Sequence, residues 1–174
     1  IPLVLLTVAL GACSATNTSS TNASSSSTSK KTTTKTSDYF TKRDQDASYD
    51  ESKATKISLS GSSAKTSGSG AEVSGSTVTI TKAGTYVLSG SSENVQIVVK
   101  VGNKDKVQLV LNGVTMTGTD AAIVVENADK TFITLAKGSK NTISDSANHK
   151  NTDYDAAIYS KDDLTFNGSG SLTI

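Results

Sequence analysis

From Ile57 onward the chain alternates. Apolar side chains stand two residues apart, with Thr, Ser or Lys between them, over three to five positions, and each run stops at Gly or Asn. A period of two marks strands that bury one face. The pattern predicts strands around Ile57 and Leu59, Val78 and Ile80, Tyr86 and Leu88, Ile97 and Val99, Leu109 and Leu111, Val114 and Met116, and Ile123 and Val125. It continues through Ile133 and Leu135, Ile143, Ile158, Leu164 and Phe166, then Leu172 and Ile174, with no run longer than about five residues.

These runs recur as a unit. Lys104-Asp105-Lys106-Val107-Gln108-Leu109 aligns with Ala128-Asp129-Lys130-Thr131-Phe132-Ile133 and with Lys161-Asp162-Asp163-Leu164-Thr165-Phe166. Asp105, Asp129 and Asp162 fall 24 and 33 residues apart, and each precedes a strand that ends at Asn112-Gly113, Lys137-Gly138 or Asn167-Gly168. A second strand follows each turn, and Ala121-Ala122-Ile123 and Ala156-Ala157-Ile158 mark a third. A unit of three short strands buries its apolar side chains only by stacking on its neighbours. The expected fold is therefore all-β, a right-handed parallel β-helix with three short strands per coil and with Leu109, Ile133 and Phe166 in one interior ladder. An antiparallel sandwich is the competing architecture, because it too shows short alternating strands. It does not require the same Asp-turn-Gly sequence to recur. The chain ends at Ile174 inside the second strand of a repeat, with no polar cap, and is expected to be truncated there.

Composition narrows the function classes. Charged residues make up 19% and the net charge is +1, so no basic footprint exists for a phosphate backbone and nucleic acid is not an expected partner. Cys13 is the single cysteine, which excludes an internal disulfide, and a monomer is expected. Residues 1–12 form an apolar run too short for a bilayer that requires about 20 apolar residues. They read as the h-region of a partial signal peptide, truncated at its start because Met and a positively charged n-region are absent. Leu10-Gly11-Ala12-Cys13 resembles the lipobox of bacterial lipoproteins, which makes Cys13 the expected lipidation site. An ordinary signal peptide or a signal-anchor with an incidental cysteine is the alternative. Residues 13–37, rich in Ser, Thr and Asn, have almost nothing apolar to bury and are expected to be a disordered tether. Residues 38–174 are the domain, expected to be exported and held at the outer side of the cell membrane by lipid alone.

Within that domain, Arg43-Asp44-Gln45-Asp46 with Tyr49-Asp50-Glu51, and the stretch Thr77-Val78-Thr79-Ile80-Thr81-Lys82-Ala83-Gly84-Thr85-Tyr86-Val87-Leu88-Ser89-Gly90, carry a family likeness. So do Val107 to Gly113, Asn127-Ala128-Asp129-Lys130, Ala156-Ala157-Ile158-Tyr159-Ser160-Lys161-Asp162-Asp163-Leu164 and Asn167-Gly168-Ser169-Gly170. The chain resembles a family of bacterial β-helix lipoproteins described as carbohydrate-binding, similar in fold to pectate lyases. The resemblance implies exported binding of cellulose or of acid sugars such as polygalacturonate, with calcium as cofactor.

Candidate chemistry follows from what those ligands require. Calcium takes six to eight oxygen ligands, and the insertion after Ile143 holds Asp145, Asp153 and Asp155, close in sequence to Asp162 and Asp163. These five are the candidate metal ligands, with Asx-turns and coil corners as the alternative role. Sugar rings stack on aromatic side chains, and Tyr154 and Tyr159 are the aromatics nearby. Lys130, Lys150 and Lys161 are the candidate partners for uronate carboxylates, although lysines also serve simply to keep a surface soluble. Asp44, Asp46, Asp50 and Glu51 form a second acidic group whose spacing departs from a calcium loop, so a charged capping segment is expected. His149 is the only histidine, which leaves little material for a nucleophilic triad.

Three functions compete. The first is a non-catalytic polysaccharide binder. The second is a calcium-dependent lyase, whose base would have to be a lysine such as Lys161 or lie in coils beyond Ile174, since the sole arginine, Arg43, lies outside the repeats. The third is an envelope or adhesion protein without a glycan ligand.

Overall fold

The computed structural model describes residues 39–146, 149–151 and 153–174, so Cys13, the apolar run of residues 1–12 and the 13–37 tether lie outside the described residues. A short helix, α1 (Lys42–Gln45), precedes antiparallel hairpins formed by β1 (Thr55–Gly61) with β2 (Ser63–Ser67) and by β3 (Ala71–Ser74) with β4 (Thr77–Ile80). Then come β5 (Gly84–Glu93), β6 (Gln96–Lys100), β7 (Lys106–Thr117) and β8 (Ile123–Asn127). The last are β9 (Lys130–Leu135), β10 (Lys140–Ser144), β11 (Ile158–Ser160), β12 (Asp163–Gly168) and β13 (Ser171–Thr173).

Apart from the two hairpins, every pairing is parallel, and the chain winds as a β-solenoid of about four turns. The first sheet runs β12-β9-β7-β5-β1-β2 and the second β11-β8-β6-β4-β3. A third face is made by the trailing halves of β5 and β7 with β10 and β13. This is the strand-turn-strand-turn-strand unit that the repeat predicts, and the sandwich is excluded.

The interior ladder is in register as expected. Leu109 pairs with Ile133 and Ile133 with Phe166, while Tyr86 extends the row on the other side. Leu109 and Ile133 are fully buried, and each such side chain contributes roughly 1.5–3 kcal/mol on leaving water. Phe166 is 47% exposed because it lies on the last described coil, where nothing stacks over it. β5 and β7, at 10 and 12 residues, exceed the expected strand length. They pass a coil corner and resume pairing after a register shift, from Leu88 opposite Leu111 to Gly90 opposite Val114, through glycines with φ of 94° at Gly90 and 76° at Gly113. A Cβ at Gly90 would collide with the carbonyl oxygen of Leu59 in the adjacent strand, so this corner needs glycine for close approach as well as for its φ.

The acidic segment expected to cap the solenoid lies along its side. Residues 41–54 run as a strap over the outer face of the first sheet, where Tyr49 and Ala54 pack on Val87, Val110 and Ala136. Arg43 stacks over the Phe132 ring at 4.2 Å, and Gln108 reaches both Arg43 and the Ser48 carbonyl. Asp44 caps its own helix with Thr41, pairs with Lys130 at 2.6 Å and accepts from Thr165 at 3.2 Å. The hydrogen bond from Lys130 and those from Thr41 hold the Asp44 carboxyl well below the usual carboxylate range. Asp46 and Asp50 are also lowered, each chiefly by the hydroxyl of the serine two residues on, Ser48 and Ser52.

Candidate functional site

The insertion between β10 and β11 folds back over the outer face of the second sheet. Asp120, just ahead of β8, accepts the backbone N–H groups of Lys150 at 2.7 Å and Asn151 at 2.8 Å. The Asn151 N–H is the main reason its carboxyl is lowered, with the Lys150 N–H and the nearby His149 and Lys150 adding to it. At the other end, the Tyr154 hydroxyl donates to Glu126 at 3.2 Å, and Glu126 pairs with Lys100 at 3.1 Å. Strand alternation turns Tyr159 outward, since its neighbour Ile158 packs on the core and Tyr159 itself pairs with Val124. Its ring meets that of Tyr154 at 4.9 Å between centroids and a tilt of 48°. The Lys161 ammonium stands 5.7 Å from the Tyr154 ring centre. A rigid strand and a pinned loop thus present two half-buried aromatic rings flanked by cations, an arrangement that can take the apolar face of a sugar ring and hydrogen-bond its edge.

Tyr154, Tyr159 and Lys161 are therefore brought together, as expected, with Lys150 at the far end of the same insertion. Lys130 is not among them. Its ammonium is committed to Asp44 beneath the strap on the first sheet, and its side chain is only 21% exposed. The five candidate metal ligands do not converge either. Asp145 pairs with His149 at 3.1 Å, and Asp162 closes a coil corner by accepting the Ala128 N–H at 2.8 Å. Asp163 lies in β12, in register with Lys130 on the first sheet, while Asp153 and Asp155 are exposed on the insertion. Among the described residues no three His, Cys, Asp or Glu side chains gather to hold a metal. The physical reason is the coil itself, which sends residues that are adjacent in sequence around different corners.

Residues 74–174 match the model of the family described as "Carbohydrate-binding domain-containing protein". The chain belongs to that family. A carbohydrate-binding domain-containing protein of Acetivibrio thermocellus is 40% identical over 103 residues, covering 56% of this chain and 36% of the relative. A gadolinium derivative of a polysaccharide lyase-like protein from C. thermocellum superposes with a TM-score of 0.64 at 35% identity, covering 70% of this chain and 52% of that one. The chain thus spans about a third of one relative's length and half of the other's. Every residue of the aromatic surface lies within the stretch that matches the carbohydrate-binding family, whereas the strap precedes it.

Sequence reasoning missed Asp120, Glu126 and Lys100. A signal for Asp120 existed: Asp120-Ala121-Ala122-Ile123 repeats as Asp155-Ala156-Ala157-Ile158, so an aspartate leads into the third strand in both coils. Glu126 and Lys100 carry no such mark, since their role depends on a loop that folds back onto them.

Proposed function

We propose that the domain is a non-catalytic polysaccharide binder whose contact surface is the outer face of the second sheet with its insertion. The observation that carries this reading is the Tyr154–Tyr159 pair with Lys161 above it, held on a rigid scaffold in a chain of the carbohydrate-binding family. Charge then sets the conditions for an acidic ligand. Lys100 is neutralised by Glu126 and Lys130 by Asp44, leaving Lys150 and Lys161 against Asp120, Asp153 and Asp155. A polyuronate meets too few free cations there. For such a ligand, calcium would be shared, with sugar carboxylates supplying the oxygens that Asp153 and Asp155 alone do not.

Affinity gel electrophoresis tests this with a neutral cellulose derivative and with polygalacturonate, each with calcium or with chelator. The wild type should be retarded by polysaccharide, and retardation by polygalacturonate should disappear with chelator. Tyr159→Ala should lose roughly tenfold in affinity, equivalent to about 1.4 kcal/mol. Unchanged mobility of the wild type in every gel would sink the reading. The lyase-like neighbour gives the alternative one specific footing, and accumulation of unsaturated uronates from polygalacturonate would replace binder with lyase.

A further inference from the structure

At the corner between the third face and the second sheet lies a cleft of about 230 Å³. Its lining includes Asn94, Gln96, Thr119, Asp120 and Lys150, drawn from successive coils. Asn94 and Asp120 each stand three residues before an inward isoleucine, Ile97 and Ile123, and those isoleucines pair in register. Asp155 holds the equivalent place before Ile158, which pairs with Ile123. Asn94 and Asp120 thus take equivalent places on neighbouring coils, at the ~4.8 Å spacing of neighbouring strands, and both line the cleft.

These side chains are fixed at one end and free at the other. The Asn94 carbonyl oxygen accepts the Thr119 N–H at 3.2 Å, while its NH₂ has no partner among the described residues. The Gln96 NH₂ donates to the Ala121 carbonyl at 2.8 Å, leaving its own carbonyl oxygen open. Asp120 uses one oxygen for both insertion N–H groups and keeps the other. The Lys150 ammonium makes no hydrogen bond or ion pair among the described residues. Such anchoring holds the free donors and acceptors in place before any ligand arrives, which lowers the cost of ordering them on binding.

We infer that this cleft is a second glycan subsite that takes one uncharged pyranose ring of the same polysaccharide, with the Asn94 amide and Lys150 ammonium donating to its oxygens and Asp120 and Gln96 accepting from its hydroxyls. The volume lies below the ~300 Å³ at which pockets for drug-sized ligands begin, which suits a single ring. The Asp120 carboxylate opposes a uronate at this position. Asp120 stands ahead of β8 and Glu126 near its end, so the cleft and the tyrosines are roughly 20 Å apart at ~3.3 Å per residue of extended chain. One glycan chain of several units can span both, and the insertion supplies a side chain to each. The inference rests on the polysaccharide reading and narrows it.

Isothermal titration with a neutral β-1,4-glucan hexasaccharide tests it in Asn94→Asp, Lys150→Met and Tyr159→Ala. Asn94→Asp keeps the acceptor that holds Thr119 and replaces the free donor with a charged acceptor, while Lys150→Met removes an ammonium that makes no hydrogen bond or ion pair among the described residues and acts on Asp120 only through its charge. Both should weaken binding roughly tenfold, as should Tyr159→Ala. Wild-type affinity in Asn94→Asp and Lys150→Met, with loss in Tyr159→Ala, would overturn the second subsite and leave the aromatic surface standing. The reverse pattern would support the cleft and remove the tyrosines. No binding of the hexasaccharide by the wild type would overturn the inference outright.

Discussion

Thr131 sits on the inner face of the first sheet, in register between Val107 and Leu164, fully buried and with no hydrogen-bond partner for its hydroxyl among the described residues. An unsatisfied buried hydroxyl costs about 1–3 kcal/mol, so Thr131→Val, which keeps the shape, should stabilise the fold by about 1 kcal/mol in urea unfolding. Asp44 acts in the opposite sense. Its carboxyl is lower in the folded chain than in the unfolded one, so its contribution is complete above the unfolded value of about 3.9 and drains away as acid is added below it. Asp46, Asp50 and Asp120 shift the same way. The urea midpoint should therefore stay level from about pH 7 to 5 and fall below about pH 4. Asp44→Asn should lower the midpoint at neutral pH and flatten that fall; an unchanged pH profile would show that Asp44 does not hold the strap. Single residues were the least legible scale in the sequence. Tyr154, Tyr159 and Lys161 could be grouped because they lie close along the chain. Lys130 could not be separated from them, because its partner Asp44 is remote in sequence and meets it only after the sheet has formed.

At the scale of elements the sequence was far more transparent, because each strand writes its buried face as a period of two and each coil repeats the Asp-strand-turn-Gly order. A one-residue slip of the strands that carry Ile57, Leu109 and Ile133 would turn the whole apolar set outward. The elements that escaped are the ones without that period. β2 and β3 are polar and mostly exposed, and the strap is held by side-chain hydrogen bonds together with the apolar contacts of Tyr49 and Ala54, which follow no regular period. The length of β5 also escaped, since a corner at Gly90 after which pairing resumes in a shifted register looks in sequence like a strand end. That corner yields a prediction: Gly90→Ala, with φ at 94° and the Leu59 carbonyl in the way, should destabilise by at least about 1 kcal/mol in urea unfolding. A neutral result would mean that β1 and β5 can separate at the corner without loss.

For the molecule as a whole, the repeat made the solenoid legible, and membership of the carbohydrate-binding family follows from the same coils. The aromatic part of the proposed ligand surface was legible in Tyr154, Tyr159 and Lys161, whereas its contacts with Asp120 and Glu126 were not, because they are made by an insertion that interrupts the repeat. In a stack each coil rests on the one before it, so the interior can be completed in the order in which the sequence is made. The strap breaks that order. Asp44 bonds to Thr165, 121 residues later, and the Asn167 amide reaches the Asp44 and Asp46 carbonyls. The strap, which precedes the strands in sequence, can therefore rest on β5, β7 and β9 but cannot complete its seating until β12 has formed. Pulse-labelled amide exchange during refolding should show protection across Val107 to Leu111 before the Asp44 amide is protected. The strap then works as a completion mark: a chain whose later coils have not formed carries a loose leading segment, exposed to proteases, while a finished one has it locked.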